Sequence, residues 1–259
     1  MNKILTAILL LINLISCNSQ NDYKADAIEI FKSTPVWKAA DAIKHHDLKG
    51  IEKQLKNNPG LINYAEPKFK ISLLYWTMYN SQSEKPEENY YEEAKLLVRL
   101  GANPYDQAES NVTPLMRAAS VYEHSFKYIA LCLESNYTRM LSDSSKRIQL
   151  SEALLLACGK MKEELAGVKL LLDSGADINY YSIDSVNTPL AESITQENMM
   201  IAKYLIIDRK AEYDISVKRM VDKVDLSIRE RLLNLHFTEE LDKEKIWQEI
   251  VAYIKKDSN

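Results

Sequence analysis

Residues 113–119 read Thr113-Pro114-Leu115-Met116-Arg117-Ala118-Ala119. The chain repeats this motif at a regular interval. Thr34-Pro35-Val36-Trp37-Lys38-Ala39-Ala40 matches its Thr-Pro, apolar, basic and Ala-Ala positions, and a third copy begins Thr188-Pro189-Leu190-Ala191. Weaker copies start at residues 72 and 152, so the five starts lie 38, 41, 39 and 36 residues apart. A period of this size indicates a chain of stacked structural repeats.

A second motif recurs in register with the first. Residues 96–103 read Leu-Leu-Val-Arg-Leu-Gly-Ala-Asn, and residues 170–177 read Leu-Leu-Leu-Asp-Ser-Gly-Ala-Asp. Threonine is a good N-cap and proline is tolerated at the first helical position, so each Thr-Pro predicts a helix start. Gly101 and Gly175 suit the left-handed residue that ends a helix. Each period therefore predicts one pair of antiparallel helices.

Together the starts and exits resemble ankyrin repeats over about residues 34–215, which makes five repeats. The resemblance implies an all-α fold, an ankyrin-repeat solenoid of stacked antiparallel helix pairs. Two exits depart from the pattern: the third repeat has Ser135-Asn136 and the fifth has Lys210-Ala211 where Gly-Ala is expected. Asparagine tolerates a left-handed conformation, whereas lysine adopts it at a cost.

Residues 216–259 lie beyond the repeats and contain two predicted helical segments. Ile246, Ile250 and Ile254 recur every four residues, and Trp247 and Val251 widen this apolar stripe. A solenoid needs a terminal unit whose outer face is polar, so we interpret this segment as a helical C-terminal cap. A partner-binding helix is the alternative.

The N-terminus resembles that of bacterial lipoproteins. Lys3 precedes an apolar run over residues 4–14 that is too short to span a bilayer but fits a secretory signal. Leu14-Ile15-Ser16-Cys17 then resembles the box in which the cysteine thiol becomes lipidated. We therefore expect a lipoprotein signal peptide over residues 1–16, lipidation at Cys17 and a tether over residues 17–33, of which residues 18–22 are polar. An ordinary signal peptide or a buried N-terminal helix is the alternative.

This resemblance places the protein in the bacterial cell envelope, lipid-anchored to the membrane at its N-terminus. Residue 18 is Asn rather than Asp, which by analogy with lipoprotein sorting favours the outer membrane or a periplasm-facing position.

Composition argues against several functions. Lys and Arg number 33 against 37 Asp and Glu, so the basic excess of a nucleic-acid binder is missing. Six glycines leave little scope for phosphate-binding loops, and four scattered histidines lack metal-ligand spacing. We expect no catalytic residues, no metal and no cofactor, in a monomer. Cys132 and Cys158 are interpreted as buried thiols, with a disulfide between neighbouring repeats as the alternative.

Tyrosine is the unusual residue, at fifteen against four Phe and three Trp. The repeat register places several on the hairpin-like fingers between repeats or just after inner helices. Tyrosine offers large contact area at low entropy cost, so we predict these as contacts to a protein partner. The alternative is that they only fill half-buried positions between repeats. The predicted contacts are Tyr64, Tyr79, Tyr105, Tyr122, Tyr180 and Tyr181.

The sequence thus predicts a membrane-tethered module that binds another protein, in the role of an immunity-type inhibitor or an envelope adaptor. An enzyme with an unrecognised site on the solenoid, or a structural spacer, is the alternative.

Overall fold

The computed structural model describes residues 27–81, 90–120, 125–160, 164–183, 185, 187–218, 225–235 and 241–257. The predicted signal peptide, Cys17 and most of the predicted tether lie outside these residues. The chain divides into two compact units, Met1–Pro114 and Leu115–Asn259, and each is described by itself.

The first unit contains two helix pairs. Repeat 1 pairs an inner helix, Trp37–Lys44, with an outer helix, Leu48–Asn57; repeat 2 pairs Leu73–Asn80 with Tyr91–Arg99. The two outer helices pack side by side. Short 3₁₀ helices occupy Ile28–Phe31 and Pro59–Leu61.

The last residues of the predicted tether are part of the folded unit. Ile28 and Phe31 are buried, and their 3₁₀ helix packs against the inner helix of repeat 1. The hydroxyl of Thr34 donates to the carbonyl of Phe31 at 2.7 Å, so it does not cap the following helix, which begins at Trp37. The tether prediction differs from the structure at these residues because the apolar side chains of Ile28 and Phe31 pack into the core of the first unit.

The starts predicted at residues 72 and 188 follow the predicted chemistry, whereas the start predicted at residue 152 is wrong, because that helix begins at Asp143 after the N-cap Ser142. The hydroxyl of Thr188 accepts the N–H of Ala191 at 3.2 Å, and Pro189 occupies the first helical position. Ser72 accepts the N–H of Tyr75 in the same way. These bonds satisfy N–H groups that the first turn of a helix leaves unpaired.

The second unit contains the other three repeats. Repeat 4 contributes the longest inner helix, and its inner and outer helices both pack against those of repeat 5. The helices are Pro114–Ser120 and Ser125–Leu133 in repeat 3, Asp143–Cys158 and Leu165–Asp173 in repeat 4, and Pro189–Thr195 and Met199–Lys203 in repeat 5.

Two repeat exits confirm the glycine prediction. Gly101 and Gly175 have φ of 101° and 104°, a region that glycine enters without a steric penalty. The third exit does not follow the pattern. Ser135 instead accepts the N–H of Tyr137 at the start of a short helix, Asn136–Met140, so Asn136 is helical rather than left-handed.

The fifth exit keeps the left-handed residue but is one residue longer. Lys210 has φ of 59°, and Ala211 donates to the carbonyl of Leu205, six positions earlier, where the equivalent bond of repeat 4 spans five. The outer helix absorbs the extra residue as a π-helical turn over Tyr204–Asp208. A local insertion is a recognised origin of such turns.

The C-terminal segment packs as a cap would. Ile250, Val251 and Ile254 are buried where the helix Leu241–Asp257 lies against the outer helix of repeat 5. The indole N–H of Trp247 donates to Leu232 at 2.7 Å. Ahead of this helix come a short helix, Ile228–Leu233, and an antiparallel ribbon that pairs Ser216–Lys218 with Asp225–Ser227. The all-α prediction is confirmed apart from this ribbon.

The described helices all fall short of the length and apolarity needed to cross a bilayer.

A buried polar network links the three repeats of the second unit. The Lys160 ammonium, whose side chain is 3% exposed, donates to Glu164 at 2.8 Å and to the hydroxyl of Ser125 at 2.9 Å. Ser125 in turn donates its N–H and its hydroxyl to Glu164. On the other side, the amide of Asn198 donates to the carbonyls of Cys158 and Lys160.

This network holds Glu164 in its charged form. Burial by itself would raise the pKa of the Glu164 carboxyl, but the hydrogen bonds from Lys160 and Ser125 outweigh that effect and lower it below the ordinary 4.5. Because the pKa of Glu164 is lower in the folded state than in the unfolded state, its carboxylate contributes its full stabilisation of the fold above about pH 4.5. It is lost as the pH falls through the folded-state pKa.

We expect Glu164→Gln to destabilise the protein, because it leaves the buried Lys160 ammonium without its countercharge. Breaking such a pair costs about 3–5 kcal/mol, which corresponds to a melting temperature lower by roughly 10 °C at pH 7. The difference from wild type should shrink as the pH falls through the lowered pKa of the wild-type Glu164 carboxyl. Thermal melts of both proteins across pH 3–7 measure this, with the exposed Glu134→Gln as control. A pH-independent difference would contradict it.

Candidate protein-interaction surface

Four large apolar side chains are exposed on one part of repeat 4. Ile148 and Leu156 belong to the inner helix Asp143–Cys158, and the spacing of eight residues places them on the same side. Ile148 is 51% exposed and Ile183, on the finger that follows repeat 4, is 83% exposed. Leu156 and the finger residue Tyr181 are exposed to a lesser degree. We call these four residues the apolar face of repeat 4.

Polar contacts hold the finger beside the inner helix. The guanidinium of Arg147 donates to Asp177 at 2.6 Å, and the hydroxyl of Ser151 accepts the N–H of Asp177 at 2.8 Å. One turn further on, Glu152 accepts hydrogen bonds from the hydroxyls of Tyr180 at 2.7 Å and Ser182 at 3.1 Å. These bonds fasten the finger that carries Tyr181 and Ile183 beside the part of the inner helix that carries Ile148.

The finger itself is a short hairpin. Ser182 and Asn187 pair across it as an antiparallel bridge, and Ser182 is buried. The amide of Asn187 donates to Glu192 in the next inner helix at 2.5 Å. The face is therefore fixed by both neighbouring inner helices, and a partner would pay little ordering entropy on binding it.

Glu152 lies between Ile148 and Leu156 along the helix, but its carboxylate is half-buried and directed to the finger hydroxyls. The same helix carries a buried acceptor, Oε1 of Gln149, which has no hydrogen-bond partner. Unsatisfied buried acceptors are rare in folded proteins and cost about 1–3 kcal/mol.

The predicted tyrosine contacts are not equivalent in the structure. Tyr181 is the exposed one, whereas Tyr180 turns its hydroxyl to Glu152. Tyr105 is only 8% exposed, so its ring is packed within the first unit and fits the alternative role of filling a repeat junction. Tyr64 and Tyr79 are half-buried, and Tyr122 lies outside the described residues.

The contacts predicted from the sequence are all tyrosines. They therefore leave out the exposed aliphatic residues Ile148, Leu156 and Ile183. A signal was present in the inner helix of repeat 4. Leu150, Leu154 and Cys158 already form its fully buried side, so the apolar residues at 148 and 156 fall off that side. Ile148 also stands alone in a polar stretch, residues 142–149.

The residues with catalytic chemistry are poorly placed for it. Cys132 and Cys158 are both free thiols and fully buried, and burial raises the pKa of both well above the ordinary value. A thiol held in its neutral form is a weak nucleophile. Ser125 contacts the Lys160 ammonium, but it is 1% exposed and no substrate could reach it.

The adjacent histidines have separate partners. His46 lies 3.0 Å from the buried carboxylate of Glu93 and stacks on Tyr90, whereas His45 contacts Asp41. Within the part of the chain that the structure describes, no three His, Cys, Asp or Glu side chains are grouped to hold a metal ion.

Comparison with known proteins connects this architecture to the ankyrin-repeat fold. The ankyrin repeat domain of Bcl-3 superposes with a TM-score of 0.57 at 17% identity, covering 75% of this chain and 78% of that domain. The ankyrin repeat protein EF0377 superposes with a TM-score of 0.58 at 20% identity, covering 85% of this chain and 97% of that protein. The predicted ankyrin-repeat solenoid is confirmed at the level of the fold.

The sequence match to a known protein covers less of this chain than the structural matches do. Protein lin-12 of Caenorhabditis elegans is 23% identical over 185 aligned residues, which cover 56% of this chain. The chain spans only 13% of the length of that protein. No family model matches the chain.

We expect Tyr180→Phe to lower the free energy of unfolding by about 1–2 kcal/mol, because it removes a half-buried hydrogen bond to a carboxylate. The same change one residue later, Tyr181→Phe, should have no measurable effect because that hydroxyl is exposed. Urea unfolding of the two variants beside the wild type measures the difference. Equal stability of all three proteins would show that Tyr180 does not fasten the finger.

Proposed function

We propose that the protein is a membrane-tethered protein-binding module of a bacterial envelope, and that the apolar face of repeat 4 contacts its partner. The observation that carries this proposal is the exposure of Ile148, Leu156, Tyr181 and Ile183 on one helix and the finger fastened to it. Clustered exposed apolar side chains on a soluble domain mark an interaction site.

The energies are of the right size for specific binding. Full burial of an exposed isoleucine or leucine side chain contributes about 1.5–3 kcal/mol. Ile183, at 83% exposure, approaches this contribution, whereas Ile148 and Leu156, at 51% and 37%, contribute roughly half of it or less toward the roughly 8 kcal/mol of a micromolar complex. Tyr181 adds an aromatic side chain, a residue type enriched at interfaces. We retain Tyr64 and Tyr79 as predicted secondary contacts because half-buried rings can still meet a partner at their edges.

The proposed address depends on the N-terminus. The apolar run over residues 4–14 and the Leu14-Ile15-Ser16-Cys17 box support lipidation of Cys17. Two or more acyl chains anchor a protein stably, whereas one alone gives marginal binding. About ten residues of sequence separate Cys17 from the helix Ile28–Phe31.

Two biological roles fit a tethered binding module. An immunity-type inhibitor would occlude an incoming toxin at the envelope, and an adaptor would hold an envelope enzyme. A toxin gene beside the gene for this protein would favour the first role.

The alternative functions have weaker support. An enzyme with a site on the solenoid would need accessible titratable groups, and the Ser125–Lys160 pair that most resembles one is buried. A structural spacer would have no reason to expose the apolar face.

We expect an Ile148→Asp, Ile183→Asp double variant to lose its partner, since it places two carboxylates on the contact surface. Affinity should fall at least about a hundredfold, because burying each unpaired carboxylate against the partner costs more than about 1.4 kcal/mol. The measurement is affinity capture from envelope extracts with wild-type and variant baits, followed by titration of the recovered protein.

Met200→Asp is the control, because Met200 is 46% exposed, close to the 51% of Ile148, but belongs to the outer helix of repeat 5. A partner that binds the double variant and wild type equally well would remove the apolar face from the proposal. Circular dichroism checks that all variants remain helical.

We expect Cys17→Ala to abolish labelling by a clickable fatty acid and to release the protein from the membrane fraction. The thioether to the lipid requires the Cys17 sulfur, and the chain then keeps no acyl chain. Cys132→Ala serves as the control, because that thiol is buried and cannot be acylated. Labelling that survives in Cys17→Ala would refute the lipoprotein assignment without touching the protein-binding proposal.

A further inference from the structure

The outer helix of repeat 1 carries its lysines on one side. Lys49, Lys53 and Lys56 are spaced by four and three residues along Leu48–Asn57, so they share one face of the helix. All three are exposed, whereas Ile51 and Leu55 on the opposite face are buried. The apolar face is used for packing within the first unit, so the lysine face is the part of this helix that is presented to the surroundings.

The neighbouring outer helix extends the positive charge. Lys95 and Arg99 are exposed on Tyr91–Arg99, which packs against Leu48–Asn57. We call Lys49, Lys53, Lys56, Lys95 and Arg99 the cationic face. The carboxylates of these two helices that reach its surface are Glu52 and Glu92, since Glu93 is buried against His46. The face is thus positive in a chain whose formal net charge is −4.

Internal ion pairs leave part of this charge uncompensated. Glu52 pairs with Lys56 at 3.0 Å and with Arg99 at 3.3 Å, and Glu92 pairs loosely with Lys95 at 3.8 Å. No carboxylate of the described residues lies within ion-pair distance of Lys49 or Lys53, which are therefore available to an external anion.

A groove separates the two outer helices. It has a volume of about 200 Å³ and is lined by two leucines, three cationic side chains and two carboxylates: Leu48, Leu96, Lys49, Lys95, Arg99, Glu52 and Glu92. Leu48 is partly exposed there. A lipid headgroup combines these chemistries, since its phosphate is anionic and its glycerol and upper acyl carbons are less polar.

We propose that the cationic face binds anionic lipid headgroups of the membrane to which the protein is tethered. Each lysine near an anionic leaflet strengthens partition by about fivefold, and a basic patch beside an acyl anchor is an established way to hold a protein at a surface. About ten residues separate Cys17 from Ala27, which spans at most about 35 Å, so the anchor brings the first unit within reach of the headgroups. The proposal depends on the Cys17 anchor for this proximity only.

Vesicle sedimentation tests the proposal. The protein is the full chain with Cys17→Ala, so that no acyl chain contributes and residues 1–16 are the same in every sample. The vesicles are phosphatidylcholine alone or phosphatidylcholine with a third of phosphatidylglycerol. We expect the protein to prefer the anionic vesicles, with a preference that weakens as salt is raised.

The test variant is Lys49→Gln, Lys53→Gln, Lys95→Gln, and it should lose about a hundredfold of partition into anionic vesicles at about fivefold per lysine. The matched control is Lys127→Gln, Lys169→Gln, Lys245→Gln, which removes the same charge from exposed positions of the second unit. It should bind like the parent protein. Partition into phosphatidylcholine alone should be equal for all three.

Three results would overturn the proposal. The first is equal partition of the parent protein into the two kinds of vesicle, and the second is an equal loss in the test and control variants. The third is complete displacement from anionic vesicles by a single-stranded RNA at equal phosphate concentration, which would assign the face to nucleic acid. Fatty-acid labelling of Cys17 is measured separately, so failure of the anchor and failure of the cationic face are distinguishable.

Discussion

A single helix pair of this chain cannot bury its own apolar side, and every other feature depends on the stacking that this requires. The inner helix of repeat 4 shows the constraint directly, since Leu150, Leu154 and Cys158 are fully buried between neighbouring elements. The same helix leaves Ile148 and Leu156 exposed, because stacking covers only part of its circumference. Burial and exposure on one helix therefore have one cause, and the exposed part is what remains for a partner.

Stacking also brings polar groups into the interior, where each needs a partner. In the second unit Lys160 satisfies Ser125 and Glu164, and Asn198 satisfies two carbonyls of the preceding repeat. In the first unit His46 of repeat 1 meets the buried Glu93 of repeat 2. Such contacts fix the register of one repeat on the next, because a shifted repeat would leave a buried charge unpaired.

The two units present different chemistry to their surroundings. The first carries lysines on its outer helices, and the second carries exposed aliphatic side chains on an inner helix and finger. In the function proposed above, the first surface would meet anionic headgroups and the second would exclude water against a protein. The buried thiols and the buried Ser125–Lys160 pair support neither role and serve packing.

The repeat period, the pairing of helices within a repeat, the two glycine exits and the apolar stripe of the last helix could be derived from the sequence, because each depends on residues within one repeat. These features depend on local chemistry: Thr188 caps a helix, Gly175 adopts a positive φ, and Ile250 lies on the apolar side of a helix. Each can be recognised from residues that are neighbours in the sequence. The start of the repeat 4 inner helix at Asp143 could not be derived in this way. The environment of Tyr105, the network around Glu164 and the exposure of Ile183 were decided by the tertiary structure. A side chain on a finger or a turn takes its surroundings from residues about 30–40 positions away, such as the Ser125 partner of Lys160 at a separation of 35. Sequence period determines where such a residue stands, and only stacking determines what it touches.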